Sequence, residues 1–335
     1  MSFRKGELVL SFELGKISVE RGGIRQGFYD VAPKCDGSYM RFPVIVANGM
    51  GKGPVLLVTA GVHGDEPNGT LALTRLMQSV DPNKLKGTLV GVPVVNLEAF
   101  SAKKRGSETF DNYKWDVNRA FPGKADGYPV DRMAHAFFNE IALRADYHID
   151  LHSGADWYLI VDSVLTEKSE GEAFELAKNS GARIIVPFPE PGTLTSALDE
   201  RNIPSLGFEV GCSVMAPEDC QKGLDLQVRF CQNVMRRLGM LEGKPELPRE
   251  RYILEDIGLL RVDIGGLALL EPELQLMQKI RKGTLLGRVY DIFGNELQKM
   301  YAPYDGLLWA VRLNPVVQPG DYGVCWLSKI RETLS

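Results

Sequence analysis

The chain has 335 residues, 44% of them hydrophobic and 24% charged, with a net charge of −4 at pH 7. That length supports one large domain with a substantial core plus a smaller one. A pI near 5.7 gives no basic field for nucleic acid or anionic lipid, and the longest apolar run, around PVLLVTAGV, is too short to span a bilayer, so neither partner is expected.

The start, MSFRKGELVLSFELG, is basic but places Glu7 and Glu13 where a signal peptide needs an apolar core. A β-rich lead-in is expected through residue 45. PVLLVTA (54–60) then reads as a strand, followed at once by the turn AGVHGDEPNG (60–69). Pro67 suits the first position of a helix, and Leu71, Leu73, Leu76, Met77 and Val80 continue largely on one helical face. GMGKGP (49–54) lacks the phosphate-loop spacing and precedes a strand, so it is a turn.

TLVGVPVV (88–95) predicts a second strand, and the polar stretch 101–127 has the length of a functional loop. Helical periodicity returns in VDRMAHAFFNEIALRA, followed by a strand, YHIDLH. A helix near GEAFELAKNS, strands at RIIVPF and SLGFEV, and a long helix within 217–240 complete this portion. Strands alternating with helices predict an α/β fold with a mixed, mostly parallel sheet flanked by helices. Ligands of such sheets collect beyond the carboxyl ends of the strands, where His63, His152 and Glu209 all fall.

LEGKPELPRE (241–250) reads as a linker separating a catalytic portion, 1–240, from a small all-β domain, 251–335, built of short β-like runs punctuated by glycine. Five scattered cysteines (Cys35, Cys212, Cys220, Cys231, Cys325) without a CxxC pair read as reduced thiols of a cytoplasmic protein. Cys212, near Glu209, is better read as a small buried hydrophobe than as a nucleophile.

The chemistry concentrates in few residues. Two imidazoles and one carboxylate commonly hold zinc in hydrolases and leave a position for water, and His63, Glu66 and His152 supply that donor set. His148, Asp150 and His152 share a strand face, but His148 lies roughly 13 Å back from the strand end and reads as buried or structural. Asp150 can orient a ligand or hydrogen-bond a neighbouring loop. His135 lies in a helical pattern as a surface or satisfied residue. In KWDVNRAFPG, Asn118 and Arg119 are adjacent donors able to clamp a carboxylate, and Asp116 can receive the second N–H of a ligand histidine. Glu209, between Phe208 and Val210, is an acid in an apolar strand that needs a cation or a proton.

The ordered set HGDE, NLEAFSAKKR, DVNRAFPG, DLHSG and FEVG resembles the aspartoacylase and succinylglutamate desuccinylase family, which belongs with the zinc carboxypeptidases of the carboxypeptidase A type. The resemblance covers roughly residues 45–240. It implies one zinc per chain on His63, Glu66 and His152, with Glu209 as general base and Asn118–Arg119 holding a substrate carboxylate. It also implies that Arg105, nine residues after Asn96, polarises the scissile carbonyl, although the family's Asn-Pro is Asn96-Leu97 here.

The tail is similar to lipoyl/biotinyl barrel-sandwich domains in IRKGTLLG, APYDGLL and PVVQPGD. Its hairpin turn carries Gly294 and Asn295, with Lys299 further along, so the shape is expected without the carrier function. In the deacylase family such a domain covers the site. The expected activity is hydrolysis of the amide of a small N-acylated amino acid. The alternatives are a zinc carboxypeptidase acting on short peptides and a non-catalytic zinc-containing binding module. Assembly into a homo-oligomer is left open.

Overall fold

The computed structural model describes residues 11–107 and 115–335. The basic start and Glu7 of the signal-peptide argument, with the first part of the lead-in, fall on residues 1–10, and part of the 101–127 loop on 108–114; these lie outside the described residues. A hairpin of β1 (Ser11–Leu14) and β2 (Ile17–Glu20) turns Phe12, Leu14, Ile17 and Val19 into the core, the alternation a one-sided strand requires. Strands β3 (Gly23–Pro33) and β4 (Tyr39–Asn48) follow, then β5 (Gly51–Ala60), α1 (Pro67–Ser79), β6 (Lys86–Val92), α2 (Leu97–Ala102) and α3 (Pro129–Glu140). The chain continues with β7 (Tyr147–His152), β8 (Tyr158–Thr166), α4 (Gly171–Lys178), β9 (Ile184–Pro187), α5 (Leu194–Asp199), β10 (Ser205–Gly211) and α6 (Pro217–Arg237).

The expected parallel pairing occupies the centre of the large sheet, where β6, β5, β7 and β10 run side by side in that order. The flanks are antiparallel: β4 and β3 beyond β6, and β8 beyond β10. Both faces are covered, so the central strands are apolar on both sides. Leu56, Val58 and Ala60 of β5 meet α1, α4 and α6 on one face. Val55 and Leu57 point the other way, to Phe137 and Phe138 of α3 and to Leu194 and Leu198 of α5. Phe208 of β10 stacks on Phe230 of α6 with ring centroids 4.0 Å apart. Its neighbour Glu209 must therefore face the opposite side.

Residues 241–250 carry no regular secondary structure, and Asn233 of α6 binds the backbone of Glu246 there, donating to its carbonyl and accepting from its N–H. Every later element is a strand: β11 (Arg251–Leu254), β12 (Leu259–Leu260), β13 (Gly266–Leu270), β14 (Lys279–Ile280), β15 (Leu285–Tyr290), β16 (Glu296–Tyr301), β17 (Gly306–Arg312), β18 (Val316–Val317), β19 (Cys325–Ser328) and β20 (Ile330–Leu334). Four of them form a separate antiparallel sheet ordered β16–β15–β13–β18. Others join the large sheet, since β17 pairs with β8 (Ala310 opposite Ile160) and β19 with β17. The buried Trp309 and Trp326 lock this junction against Tyr158, Ile160 and Val186. At the β15–β16 hairpin tip stand Ile292 and Phe293, both exposed, with Gly294 in the left-handed region. Lys299 lies within β16, beside Glu296.

Candidate active site

Three neighbouring parallel strands deliver the site at their carboxyl ends. His63 follows β5, His152 closes β7, and Glu209 stands on β10 directly opposite His152 in register. The turn after β5 must pass very close to the turn after β6. A Cβ on Gly64 would lie 2.0 Å from the carbonyl carbon of Ala99, and Gly61 adopts φ of 58° against Val94, so only glycine fits this path without displacement. The turn then places Glu66 just before Pro67, at the start of α1. Its carboxylate makes no cap to that helix and turns instead toward two imidazoles.

Glu66 Oε1 lies 2.8 Å from His63 Nδ1, and Oε2 lies 2.9 Å from His152 Nδ1. One donor atom from each of the three residues falls within 4.8 Å of the others, and all three side chains are buried. The far nitrogens face further carboxylates. His152 Nε2 is 2.9 Å from Asp150 Oδ2, and His63 Nε2 is 3.4 Å from Asp116 Oδ1, an ion-pair distance without hydrogen-bond alignment. Asp116 also accepts from Arg105 Nε at 3.1 Å and from the Asn118 N–H at 2.8 Å. Arg105 Nη1 reaches to 3.5 Å from Glu66.

Burial opposes ionisation of Glu66, yet His63 and His152 hold it well below the usual carboxylate range. Burial likewise opposes the charged form of His152, but Asp150 and Glu66 hold it well above the ordinary histidine value. Glu209 goes the other way: burial, with Glu66 adding, pushes its carboxyl up to about 8. Among the described residues its Oε2 has no hydrogen-bond partner, so a buried acceptor is left facing the cluster. With Glu66, Asp116, Asp150 and Glu209 around two imidazoles and Arg105, the donors suit a borderline divalent cation.

A cavity of about 370 Å³ opens over this cluster. Asn118 and Arg119 line it. Asn118 Oδ1 accepts from the Leu194 N–H at 3.0 Å, and Arg119 Nη2 pairs with Glu190 at 2.8 Å. The predicted site residues thus share one cavity wall or the layer beneath it. His148 sits lower in the sheet, fully buried, and His135 is on α3 beside Asn139. Cys212 is buried and donates its thiol to the Val214 carbonyl; burial raises its pKa.

Sequence reasoning did not find the rest of the wall. Trp157, Tyr158 and Glu167 come from β8 and its ends, and Arg312, Tyr322 and Trp326 come from the C-terminal strands and the loop between them. The aromatic pair in DLHSGADWY follows the His152 strand so closely that it was a usable signal. Arg312, Tyr322 and Trp326 carry none locally, because only the pairing of β17 with β8 brings them here.

A large mixed sheet with a His–Glu–His cluster at the carboxyl edge of its parallel strands defines the architecture of the molecule. Residues 52–234 match the succinylglutamate desuccinylase/aspartoacylase catalytic domain, and the chain belongs to that family. It is similar to the N-alpha-acetyl-L-2,4-diaminobutyric acid deacetylase of Halomonas elongata, with 28% identity over 91% of this chain and 92% of that protein. A succinylglutamate desuccinylase/aspartoacylase from Rhodobacter sphaeroides has a TM-score of 0.81 at 25% identity, covering 93% of this chain and 97% of its own. The product-bound ectoine utilization protein EutE (DoeB) of Ruegeria pomeroyi matches with the same TM-score and identity over 94% and 97%.

Proposed function

We propose that this chain is a zinc-dependent amidohydrolase that removes the acyl group from a small N-acylated amino acid. The observation that carries this reading is the convergence of His63, Glu66 and His152 beside the unpartnered Glu209 in one cavity. His63 and His152, through Nδ1, and the Glu66 carboxylate would hold the metal. When bound, the metal would polarise the amide carbonyl and acidify a water. Glu209 accepts the proton at Oε2 and returns it to the leaving nitrogen, as a carboxylate placed beside the metal donors can. Arg105 supplies positive charge where the oxyanion develops, contributing on the order of 3 kcal/mol as single oxyanion donors do. Asn118 and Arg119 hold the substrate carboxylate and set the amide over the cluster.

The substrate's side chain has its own support. Glu167 lines the cavity, pairs with no cation among the described residues, and accepts at 3.5 Å from the Thr195 hydroxyl. A half-buried carboxylate of this kind suits a substrate ammonium. That favours an N-acylated diamino acid, the kind of compound named for the Halomonas relative.

The test is a chromatographic assay of N-acyl amino acids and short peptides with metal content measured on the same sample. The reading expects release of a free amino acid, lost on chelation and restored by zinc. Trimming of unacylated peptides in its place would make the chain a carboxypeptidase, and bound zinc without turnover of any substrate would make it a binding module.

A further inference from the structure

His148 is the buried histidine that the proposed chemistry leaves unused, and the sheet register surrounds it with a continuous run of hydrogen bonds. Thr59 on β5 stands opposite Asp150 on β7, and Ser205 on β10 stands opposite His148 on β7. Because alternate residues share a strand face, His148, Asp150 and His152 all point to the same side of β7. Thr59, His148, Asp150 and Ser205 are each at most 1% exposed, so water does not compete for these contacts.

The protons can be assigned from the contacts. Thr59 has one hydroxyl proton, and its Oγ1 lies 2.6 Å from Asp150 Oδ1, 3.3 Å from the Ile149 carbonyl and 2.8 Å from His148 Nε2. The shortest contact is to a carboxylate, which can only accept, so the Thr59 proton belongs there. His148 Nε2 must then donate to Thr59. The neutral ring's Nδ1 accepts from the Ser205 hydroxyl at 2.6 Å. Burial holds His148 down to about 4, consistent with a neutral ring. The carboxylate of Asp150 uses its other oxygen on His152 Nε2 at 2.9 Å.

We propose that Ser205, His148 and Thr59 are positioning residues that clamp Asp150, and through it fix the ring of His152 with Nε2 protonated and Nδ1 free to bind the metal. The inference rests on the proposed metal role of His152. It gives the two histidines different support: His152 is braced through a run of buried hydrogen bonds across three strands, whereas among the described residues His63 Nε2 has only the looser approach of Asp116. A ligand whose orientation is set in advance loses less freedom on binding, and outer hydrogen-bond partners typically contribute about 10–100-fold in metal affinity.

The experiment measures zinc affinity of the metal-free full chain by competition with a chromophoric chelator, alongside its thermal unfolding. Thr59→Val keeps the shape and removes the hydroxyl, and should weaken zinc by about 10–100-fold. Thr59→Ser keeps the hydroxyl and should stay close to the parent in affinity, even if the lost methyl lowers its melting temperature. Should Thr59→Val fail to fold, Ser205→Ala against Ser205→Thr makes the same comparison at the outer link, with zinc weaker only where the hydroxyl is gone. Equal zinc affinity with and without the hydroxyl would reduce the chain to structural packing and overturn the proposal. A parent protein that binds no zinc, or binds it equally after His152→Ala, would overturn the metal reading on which the proposal stands.

Discussion

Glu209 and Glu167 are carboxyls raised by burial in one cavity, and their neighbours separate their roles. Glu209 stands opposite His152 with an oxygen that has no partner among the described residues, so the task proposed for it is proton transfer. Glu209→Gln keeps the shape and removes the basic atom. Zinc content should remain at the parent level while kcat falls at least 100-fold, the low end for a general base. Parent-like turnover in that variant would exclude Glu209 as the base. Glu167 lies on the wall formed at the end of β8, where burial, opposed by hydroxyl contacts, pushes it up to about 6. Glu167→Gln should raise KM about 10-fold for an N-acetylated diamino acid, about the 1.4 kcal/mol expected of a modest charge contact, and leave KM for a neutral-side-chain analogue unchanged. Equal changes for both substrates would remove Glu167 from substrate recognition.

At the level of elements, the turn that carries His63 and Glu66 is built by close approach. His63 and Glu66 leave β5 in the glycine-rich turn, and Gly64 lies against the Ala99–Phe100 backbone of α2. That contact ties the turn carrying His63 to the helix leading to Arg105. Gly64→Ala would set a methyl group inside the van der Waals distance of that backbone, so the two segments must separate. The expected result is a loss of about 1–3 kcal/mol of stability, as for other overpacked sites, together with weaker zinc binding. Unchanged melting temperature and unchanged zinc affinity would show that the turn relaxes freely. Most of the strands and helices were readable in the sequence, because PVLLVTA, YHIDLH and SLGFEV are short β-rich runs and α1 opens with proline. β8 was not read: YLIVDSVLT follows β7 after a short turn, and its antiparallel place between β10 and β17 has no signature along the chain.

For the molecule as a whole, the buried polar network carries a dependence of stability on pH. His148 is held at about 4 in the folded chain, whereas an unfolded histidine titrates near 6.5. Between those values the unfolded chain binds a proton that the folded chain refuses. The stability His148 contributes is therefore complete above about pH 6.5 and declines as pH falls through about 4, at up to ~1.4 kcal/mol per pH unit. His148→Gln removes this titration. Urea unfolding of the metal-free proteins from pH 7.5 to pH 4 should show a shallower acid loss in the variant; parallel curves would mean that His148 is not held neutral. The C-terminal strands act at this scale too. Through β17 and β19 they extend the large sheet and bring Arg312, Tyr322 and Trp326 to the cavity wall, while among the described residues no helix is long and apolar enough to cross a membrane.

The sequence by itself determined the alternation of strands and helices, the donor types and the order of the motifs, because apolar periodicity and donor chemistry are local properties. It also placed His63, His152 and Glu209 near the carboxyl ends of strands, and donor type with the family resemblance joined Glu66 to them. Only the tertiary structure decided that Glu209 faces His152 in register, that Arg105 is shared between Asp116 and Glu66, and that His148 braces Asp150 through Thr59. Strand order and register decide those contacts, and they follow from which faces pack together across the whole core, which no short stretch of the chain encodes.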